Sequence, residues 1–210
     1  MIKVLLADDH PVVREGLRRI LGERPDFSIV AEARDGRETV ELARKVEPDV
    51  VLLDLTMPGP GFLEVLEQVK AARPGAKVLV ISAHSEDQYA LRVLKAGAAG
   101  YLNKNHTPED LIGAIRQVVK TGRYVSPALA DQFAAEMTGE RAALPHSRLS
   151  NREYQILCLI GAGKSVKEIA GQTSLSPKTI STYRARLMEK LGLKTTADVI
   201  RYAVENKLVG

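Results

Sequence analysis

The sequence predicts an α/β protein in which a doubly wound, five-stranded parallel sheet is followed by a small all-α domain. Residues 1–121 alternate five short apolar runs with five helical patterns. The runs are apolar at consecutive positions, which is typical of strands buried on both faces of a parallel sheet. From residue 148 onward only helical patterns occur, so the sheet is predicted to end before that point.

The first domain is predicted to cover residues 1–121, with glycines and prolines at the joints between its elements. The predicted strands lie near residues 2–7, 27–33, 49–54, 76–82 and 99–103. The predicted helices lie near residues 11–22, 36–46, 61–72, 86–96 and 108–120. Five repeats of strand then helix build a doubly wound parallel sheet.

The remainder of the chain is predicted to be a linker and a helical domain. Residues 122–147 carry several glycines and prolines and are predicted to be a linker with a helix near 127–138. Residues 148–210 are predicted to form four short helices, near 151–161, 166–172, 177–191 and 195–205. Ser150 and Glu153 have the spacing of a capping box at the start of the first of these helices. Ser176 is the predicted N-cap of the third, with Pro177 at its first position.

Composition limits the class of protein. The chain has 210 residues and is 45% apolar, which suits one or two packed domains. A single cysteine, Cys158, excludes an intramolecular disulfide and suits a reducing compartment. Apolar stretches fall well short of the roughly 20 residues that span a bilayer. We therefore expect a cytoplasmic protein without a membrane partner.

Charge is distributed unevenly along the chain. Residues 1–124 contain 18 basic and 18 acidic residues, whereas residues 147–210 contain 11 basic and five acidic residues. A small basic domain after a neutral one is typical of a nucleic-acid module. The charge distribution alone is equally consistent with a basic surface that is merely solvated and binds no nucleic acid.

Acidic residues follow two of the predicted strands. Asp8 and Asp9 end the first strand, and Asp54 ends the third. The carboxyl ends of parallel strands gather at one edge of the sheet, so the three carboxylates are expected to meet there. Like charges at close range are unfavourable unless a cation lies among them, and oxygen ligands favour Mg²⁺.

Other polar residues at the same edge complete a set suited to phosphoryl transfer. Ser82 ends the fourth strand and Lys104 follows the fifth, and a carboxylate such as Asp54 can act as a nucleophile. Each residue also has a structural interpretation: a helix cap for Asp8, Asp9 or Ser82, a turn residue for Asp54 and a surface lysine for Lys104.

The four histidines lie in different loops without ligand spacing. A histidine metal cluster is therefore not expected. His10 and His84 are expected near the rim of the acidic pocket.

Residues 1–121 resemble a response-regulator receiver domain. The matching motifs are Ala7-Asp8-Asp9-His10, Leu53-Asp54-Leu55-Thr56-Met57-Pro58, Ser82-Ala83 and Gly100-Tyr101-Leu102-Asn103-Lys104. The resemblance implies that Asp54 accepts a phosphoryl group from a sensor histidine kinase. It also implies Mg²⁺ ligands from Asp8, Asp9, Asp54 and the backbone carbonyl of Thr56. Ser82 and Lys104 would bind the phosphoryl group, and Tyr101 would be the aromatic switch, although a tyrosine there is more often simply core.

Two positions depart from the receiver pattern. Phe62 stands where the family usually has glycine, which predicts a changed loop backbone because Phe tolerates positive φ poorly. Asn105 stands where many receivers have proline.

Residues 166–192 have the pattern of a helix-turn-helix. Lys178, Ser181, Thr182 and Ala185 share one face of the second helix, while Ile180, Leu187 and Leu191, with the stem of Arg184, form the opposite, inward stripe. A small polar face of this kind fits a major groove, and a helical protein-binding module is the alternative.

Residues 148–208 resemble a LuxR-type helix-turn-helix domain. The runs that carry the resemblance are Leu149–Glu153, Lys167–Ala170, Leu175–Ile180 and Lys190–Leu193. By position, base contacts are expected from Ser181, Thr182 and Ala185, the last through an apolar contact to a thymine methyl. Phosphate or framework contacts are expected from Lys178, Thr179, Arg184, Arg186 and Lys190. The last helix matches the one that pairs two such domains in the family.

Together the two domains resemble the NarL/FixJ response regulators over nearly the full length. The resemblance implies a transcription regulator that binds double-stranded DNA and becomes a homodimer when Asp54 is phosphorylated. One alternative is a DNA-binding regulator that works without phosphorylation. Another is a Mg²⁺-dependent phosphohydrolase, although Thr56 stands where aspartyl-nucleophile phosphatases have a second acid, so an enzyme is not expected.

Overall fold

The computed structural model describes residues 1–83, 86–127, 129–131, 144–173, 175–206 and 208–209, without the side chains of 86–88. The chain divides into two compact units, residues 1–137 and 138–210. The predicted boundaries at 121/122 and 147/148 are a finer division and stay a prediction. No helix among these residues has both the length and the apolar character required to cross a membrane.

The first unit is built on a parallel sheet of five strands in the order β2-β1-β3-β4-β5. The strands are β1 (Ile2–Ala7), β2 (Phe27–Ala33), β3 (Val50–Asp54), β4 (Lys77–Ser82) and β5 (Gly100–Asn103). The helices between and after them are α1 (Pro11–Gly22), α2 (Gly36–Val46), α3 (Phe62–Ala72), α4 (Glu86–Lys95) and α5 (Pro108–Thr121). The predicted doubly wound sheet is confirmed, and each bound differs from the prediction by at most one residue.

Both faces of the sheet are buried, as the consecutive apolar positions predict. Every residue of β3 is buried, including its last one, Asp54. Alternate residues of β1, β3 and β4 share one core with α1 and α5, in which Leu21 and Ile115 are fully buried. On the other side α2 packs against α3 so closely that a side chain at Gly36 would lie 2.5 Å from Val65 Cγ2. This packing holds the strand ends, and therefore the acidic residues, in fixed register.

The described residues of the second unit form four α-helices, preceded by one turn of 3₁₀ helix at Pro145–Arg148. The helices are α6 (Asn151–Gly161), α7 (Val166–Thr173), α8 (Pro177–Leu191) and α9 (Thr196–Glu205). Their bounds agree with the predicted helices to within one residue, whereas the 3₁₀ turn was not predicted. Of the helix predicted near 127–138, positions 127 and 129–131 are helical and the remainder lies outside the described residues.

Side-chain caps start the helices of the second unit. Ser150 and Glu153 form the predicted capping box of α6, with Ser150 N donating to Glu153 Oε2 at 2.7 Å. Ser176 Oγ accepts from Thr179 N at 3.1 Å at the start of α8. Such caps satisfy backbone N–H groups that have no partner inside the helix. The same chemistry allowed these helix starts to be recognised in the sequence.

Candidate functional site

The acidic residues meet at the carboxyl edge of the sheet. Strands β1 and β3 are neighbours, with Ala7 paired to Leu53, so Asp8 and Asp54 lie side by side. Asp54 is 3% exposed and Asp8 is 2% exposed, while Asp9 is partly exposed. One ligand atom each from Asp8, Asp9, His10 and Asp54 can be chosen so that all lie within 4.8 Å of one another. The clustering expected from strand order is therefore present in the structure.

Lys104 reaches this cluster from the end of β5. Its Nζ lies 2.7 Å from Asp8 Oδ2 and 3.2 Å from Asp54 Oδ1. The backbone N–H of Lys104 donates to Ser82 O at 2.7 Å, which fixes the start of the loop. Lys104 thus bridges the two most buried carboxylates and is not a surface lysine.

The single positive charge of Lys104 does not fully offset the cost of burying the Asp8 and Asp54 carboxylates. Burial raises the pKa of Asp54, and the negative charge of Asp8 adds to this, while Lys104 and the Thr56 hydroxyl oppose it without cancelling it. Burial alone would lower the pKa of Lys104, but Asp54 and Asp8 raise it above its ordinary value. Lys104 therefore stays protonated at neutral pH, whereas ionised Asp54 remains incompletely compensated.

Two carboxylate oxygens of the cluster are available to a cation. Asp9 Oδ1 and Asp54 Oδ1 are buried and accept no well-directed hydrogen bond, although Lys104 Nζ lies near the latter. Buried acceptors without partners are rare in folded proteins. Carboxylate oxygens in an excess of negative charge fit a hard divalent ion such as Mg²⁺. The donor set of the site therefore fits the expected metal.

Thr56 contributes a contact that was not predicted. Its hydroxyl donates to Asp54 Oδ2 at 2.7 Å, whereas the receiver resemblance implies a role for its backbone carbonyl. The bond occupies the carboxylate oxygen that does not face Lys104. It therefore orients the Asp54 carboxylate with Oδ1 toward the cluster.

His10 lies at the rim, as expected. Its Nδ1 is 3.0 Å from Asp9 Oδ1 and 3.2 Å from Asp8 Oδ1, and its side chain is 60% exposed. Sequence spacing gave no sign that an imidazole nitrogen would lie this close to two carboxylates. His84, the other histidine expected at the rim, lies outside the described residues.

Ser82 and Tyr101 lie deeper in the unit. Ser82 ends β4 beside the end of β3, and it is completely buried. Tyr101 in β5 is also completely buried and pairs in register with Val80. The structure therefore has the Tyr101 ring in an inward position next to the strand that carries Ser82.

Phe62 does not adopt a positive φ, in line with the poor tolerance of Phe for that conformation, and the changed loop backbone stays a prediction. Phe62 is the first residue of α3 and is buried, and Glu47 is the single non-glycine residue with positive φ in the described part of the chain. Gly59 takes the positive φ in this loop, at 101°. At the other departure, Asn105 N donates to Asn103 Oδ1 at 2.8 Å, a bond that proline has no N–H to make.

In the second unit, α8 has the two faces that the sequence predicted. Ile180 and Leu187 are buried, and Leu191 and Arg184 are half-buried. The opposite face is exposed and carries Lys178, Ser181, Thr182 and Ala185. The hydroxyls of Ser181 and Thr182 donate to the helix carbonyls of Pro177 and Lys178, which leaves their lone pairs outward.

The basic residues of α8 are of two kinds. Lys178, Arg184 and Arg186 form no ion pair with any residue that the structure describes. Lys190 Nζ, by contrast, lies 2.7 Å from Oε2 of the buried Glu153 carboxylate on α6. Lys190 therefore belongs to the framework, which is one of the two roles that the sequence analysis left open.

A polar cluster that sequence analysis missed joins the 3₁₀ turn to α9. His146 is buried, and its Nδ1 lies 3.0 Å from the Tyr202 hydroxyl. The Tyr154 ring lies 5.8 Å from the His146 ring. Burial raises the pKa of Tyr202 above its ordinary value. Tyr202 lies 56 positions from His146 in the sequence, so no local pattern indicates this contact.

Family descriptions match the chain in two separate segments. Residues 4–116 match the family described as "Response regulator receiver domain". Residues 147–203 match "Bacterial regulatory proteins, luxR family". The acidic cluster lies in the first segment and α8 in the second.

Similar proteins align with the chain from end to end. Response regulator GacA of Pseudomonas aeruginosa is 40% identical over 210 residues, covering 100% of this chain and 98% of the relative. Response regulator UvrY of Escherichia coli is 38% identical over 209 residues, covering 99% of this chain and 96% of the relative.

Solved structures of similar proteins include the RcsB response regulator of Salmonella typhimurium. Its TM-score is 0.76 at 26% identity, covering 97% of both chains. RcsB of Salmonella enterica serovar Typhimurium bound to promoter rprA in the presence of phosphomimetic BeF₃⁻ has a TM-score of 0.71 at 26% identity. That comparison covers 96% of this chain and 97% of the other.

Proposed function

Because the chain belongs to the response regulators that join a receiver domain to a LuxR-type DNA-binding domain, we propose that phosphorylation of Asp54 controls its binding to DNA. The family is one of two-component transcription regulators of the NarL/FixJ type. The partner on the input side would be a sensor histidine kinase. The partner on the output side would be double-stranded DNA, and the protein would therefore act in the cytoplasm.

The observation that carries the proposal is the state of the Asp54 carboxylate. It is buried and incompletely compensated, and Oδ1 lies 3.2 Å from Lys104 Nζ without a well-directed hydrogen bond. Thr56 holds the other oxygen. A carboxylate arranged in this way has one oxygen available as a nucleophile, next to an ammonium that can receive the incoming phosphoryl group.

The proposed reaction transfers a phosphoryl group from a kinase histidine to Asp54. Asp54 Oδ1 attacks phosphorus as the bond from phosphorus to the imidazole nitrogen breaks, which yields an aspartyl phosphate and the free imidazole. Lys104 would pair with the phosphoryl oxygens, and the Ser82 hydroxyl would bind one of them. Mg²⁺ held by Asp8, Asp9, Asp54 and the Thr56 carbonyl would supply further positive charge when bound.

The output is proposed to be a dimer that binds paired half-sites in DNA. The outer side of α9 supports this, because Ile200 and Val204 are 37% and 58% exposed and lie one helical turn apart. Ser181, Thr182 and Ala185 on α8 would contact base edges. Lys178, Thr179, Arg184 and Arg186 would contact phosphates.

Intact-mass spectrometry tests the phosphoacceptor. The full chain is incubated with Mg²⁺ and acetyl phosphate, in parallel with Asp54→Asn. We expect one added phosphoryl group on the wild type and none on the variant. Equal labelling of the two would remove Asp54 from the proposal.

A regulator that works without phosphate is the second candidate function. Its support is that Tyr101 is completely buried, as an ordinary core residue would be, so the burial of Tyr101 does not require a switching role. DNA binding that is unchanged by acetyl phosphate, by beryllofluoride and by Asp54→Asn would favour it. A phosphohydrolase is opposed by Thr56, since its hydroxyl donates to Asp54 where a phosphatase has a second acid. Repeated turnover of small phosphate esters is the result that an enzyme would give.

A further inference from the structure

We propose that His10 supplies a nitrogen ligand to the divalent cation of the acidic site, and that it shifts the preference of the site from Mg²⁺ toward transition-metal ions such as Mn²⁺. The inference rests on the proposed function only in taking Asp8, Asp9 and Asp54 as the other ligands. Spacing in the sequence gave no indication of it.

The first support is the distance between the ring nitrogen and the carboxylate oxygens. In an octahedral site with bonds of about 2.1 Å, neighbouring ligand atoms lie ~3.0 Å apart. His10 Nδ1 is 3.0 Å from Asp9 Oδ1 and 3.2 Å from Asp8 Oδ1. These separations are those of adjacent ligands around one ion.

The second support is the direction of the contacts. A histidine near carboxylates is ordinarily a hydrogen-bond donor, and the contact to Asp8 Oδ1 fits that interpretation. Asp9 Oδ1, however, accepts no hydrogen bond although Nδ1 is 3.0 Å away, and the oxygen is buried. Asp8 Oδ1 already accepts the backbone N–H of His10 at 2.8 Å. Hydrogen bonding therefore leaves Asp9 Oδ1 unsatisfied, whereas a shared cation would satisfy both Asp9 and the ring nitrogen.

The position of His10 also allows the ring to adjust. The residue is the N-cap of α1 but makes no side-chain capping bond, and its ring is 60% exposed. Because most of the imidazole faces solvent, the ring has room to rotate, and in the tautomer protonated at Nε2 the lone pair of Nδ1 can point toward an ion. Water molecules would complete the coordination on the exposed side.

A nitrogen ligand has a definite consequence for selectivity. Carboxylate, carbonyl and water ligands suit Mg²⁺, whereas imidazole strengthens the binding of Mn²⁺, Co²⁺, Ni²⁺ and Zn²⁺. Replacement of His10 should therefore weaken Mn²⁺ and Ni²⁺ binding at least about tenfold, because loss of even an outer-shell partner of a metal ligand costs about 10–100-fold in affinity. Mg²⁺ binding should change by less than about twofold, because Mg²⁺ gains little from an imidazole.

Pulsed electron paramagnetic resonance of bound Mn²⁺ tests the ligand directly. Full-length wild type, His10→Ala and His106→Ala are loaded with Mn²⁺ and examined for modulation from a directly coordinated ¹⁴N nucleus. His106 is a matched control, since it is a second histidine of the same unit whose Nδ1 contacts Asn103 O instead of the acidic site. We expect the nitrogen signal in wild type and in His106→Ala, and its loss in His10→Ala.

Calorimetric titration of the same proteins with Mg²⁺, Mn²⁺ and Ni²⁺ separates the two proposals. Mn²⁺ bound in the Asp54 site without nitrogen modulation would overturn the role of His10 and leave the phosphoacceptor site intact. Nitrogen modulation that survives in His10→Ala would also overturn it. Absence of binding for all three ions, with wild type equal to Asp9→Asn, would overturn both this inference and the metal site of the proposed function.

Discussion

At the scale of single residues, Asp54 combines two requirements that conflict. A nucleophilic carboxylate must be ionised, yet its place at the end of a fully buried strand removes it from water. Lys104 and the Thr56 hydroxyl compensate only part of that cost, and Asp8 adds to it. We infer that ionised Asp54 lowers the stability of the fold and that the same incomplete compensation keeps its carboxylate reactive.

The pH dependence of stability follows from the raised pKa of Asp54. Its ordinary value is 3.8, and the folded value is higher, so its contribution is most favourable below 3.8 and is lost as the pH rises through the folded value. The substitution Asp54→Asn removes the ionisable carboxylate, and with it the loss of stability at higher pH. The variant should be more stable than wild type at pH 7 without divalent cations, by about 1–3 kcal/mol, the cost of an unsatisfied buried polar group. Urea denaturation of both proteins at pH 4 and pH 7 measures it.

A bound divalent cation should reduce the difference in stability between the wild type and Asp54→Asn. Mg²⁺ at ten times its dissociation constant would stabilise the wild type by about 1.4 kcal/mol through linkage. Asp9→Asn serves as the control, because it removes one oxygen of the cluster without changing the burial of Asp54. A wild type that is as stable as Asp54→Asn at pH 7 in the absence of cations would contradict the interpretation.

At the scale of helices, the pair formed by Glu153 and Lys190 holds α6 to α8. Burial alone would raise the pKa of Glu153, but hydrogen bonds from Lys190 and Ser150 together hold it below its ordinary value of 4.5. The pair therefore stabilises the second unit above pH 4.5, and the stabilisation is lost as the pH falls through the lowered value. Helix α8 is thus fixed at its C-terminal end by a carboxylate that also caps α6.

Lys190→Met should destabilise the second unit at pH 7 by about 1–2 kcal/mol. This is less than the ~3–5 kcal/mol of a fully buried pair, because Lys190 is 42% exposed. The loss should shrink as the pH falls through the lowered pKa of Glu153, because protonation then neutralises the carboxylate. Thermal denaturation across this pH range checks both statements. Adding Glu153→Gln to Lys190→Met should recover part of the stability, and a double variant that recovers none would argue against the pair.

The exposed face of α8 carries a separate prediction. If Lys178 contacts a DNA phosphate, Lys178→Ala should weaken binding to operator and to unrelated DNA alike, because phosphate contacts carry little sequence information. The slope of log K against log salt concentration should fall in magnitude by about 0.9. Fluorescence anisotropy at several salt concentrations measures it, with Lys120→Ala on α5 as the control. A variant that weakens only operator binding would instead indicate a base contact.

At the scale of the whole molecule, the two units have separate tasks. The acidic cluster lies entirely in residues 1–137, and the helix proposed to enter DNA lies entirely in residues 138–210. The apolar outer side of α9, with Ile200 and Val204 exposed, belongs to neither the core nor the DNA-facing helix. We expect a second copy of the chain to cover this side of α9, because the proposed function includes a dimer.

Val204→Glu should therefore prevent dimer formation by the second unit. In the presence of beryllofluoride and operator DNA, we expect the variant to bind one half-site where wild type binds two, with an apparent affinity lower by at least tenfold. Analytical ultracentrifugation with labelled DNA distinguishes the two stoichiometries. Gln172→Glu adds the same charge to the exposed side of α7 and should leave the stoichiometry unchanged. Two bound copies of Val204→Glu would place the dimer contact elsewhere.

The sequence by itself determined the elements, the fold class and the family. Buried parallel strands need apolar residues at consecutive positions. A Ser or Thr with an acidic residue three positions later marks the start of a helix. Both kinds of boundary can therefore be recognised from neighbouring residues in the sequence. The acids that end β1 and β3 were predicted to meet for the same reason, because strand direction alone places them at one edge. The proposed roles of Ser82, Tyr101 and the α8 residues remain predictions that came from family resemblance.

Only the tertiary structure decided how these residues touch. The ion pairs of Lys104 with Asp8 and Asp54, the pairing of Lys190 with Glu153 and the contact of His146 with Tyr202 join residues 37 to 96 positions apart. His10 adjoins Asp9 in sequence, but the burial that leaves Asp9 Oδ1 without a hydrogen bond comes from the surrounding fold. Local sequence sets backbone conformation, whereas the direction and desolvation of a side chain depend on every element packed around it.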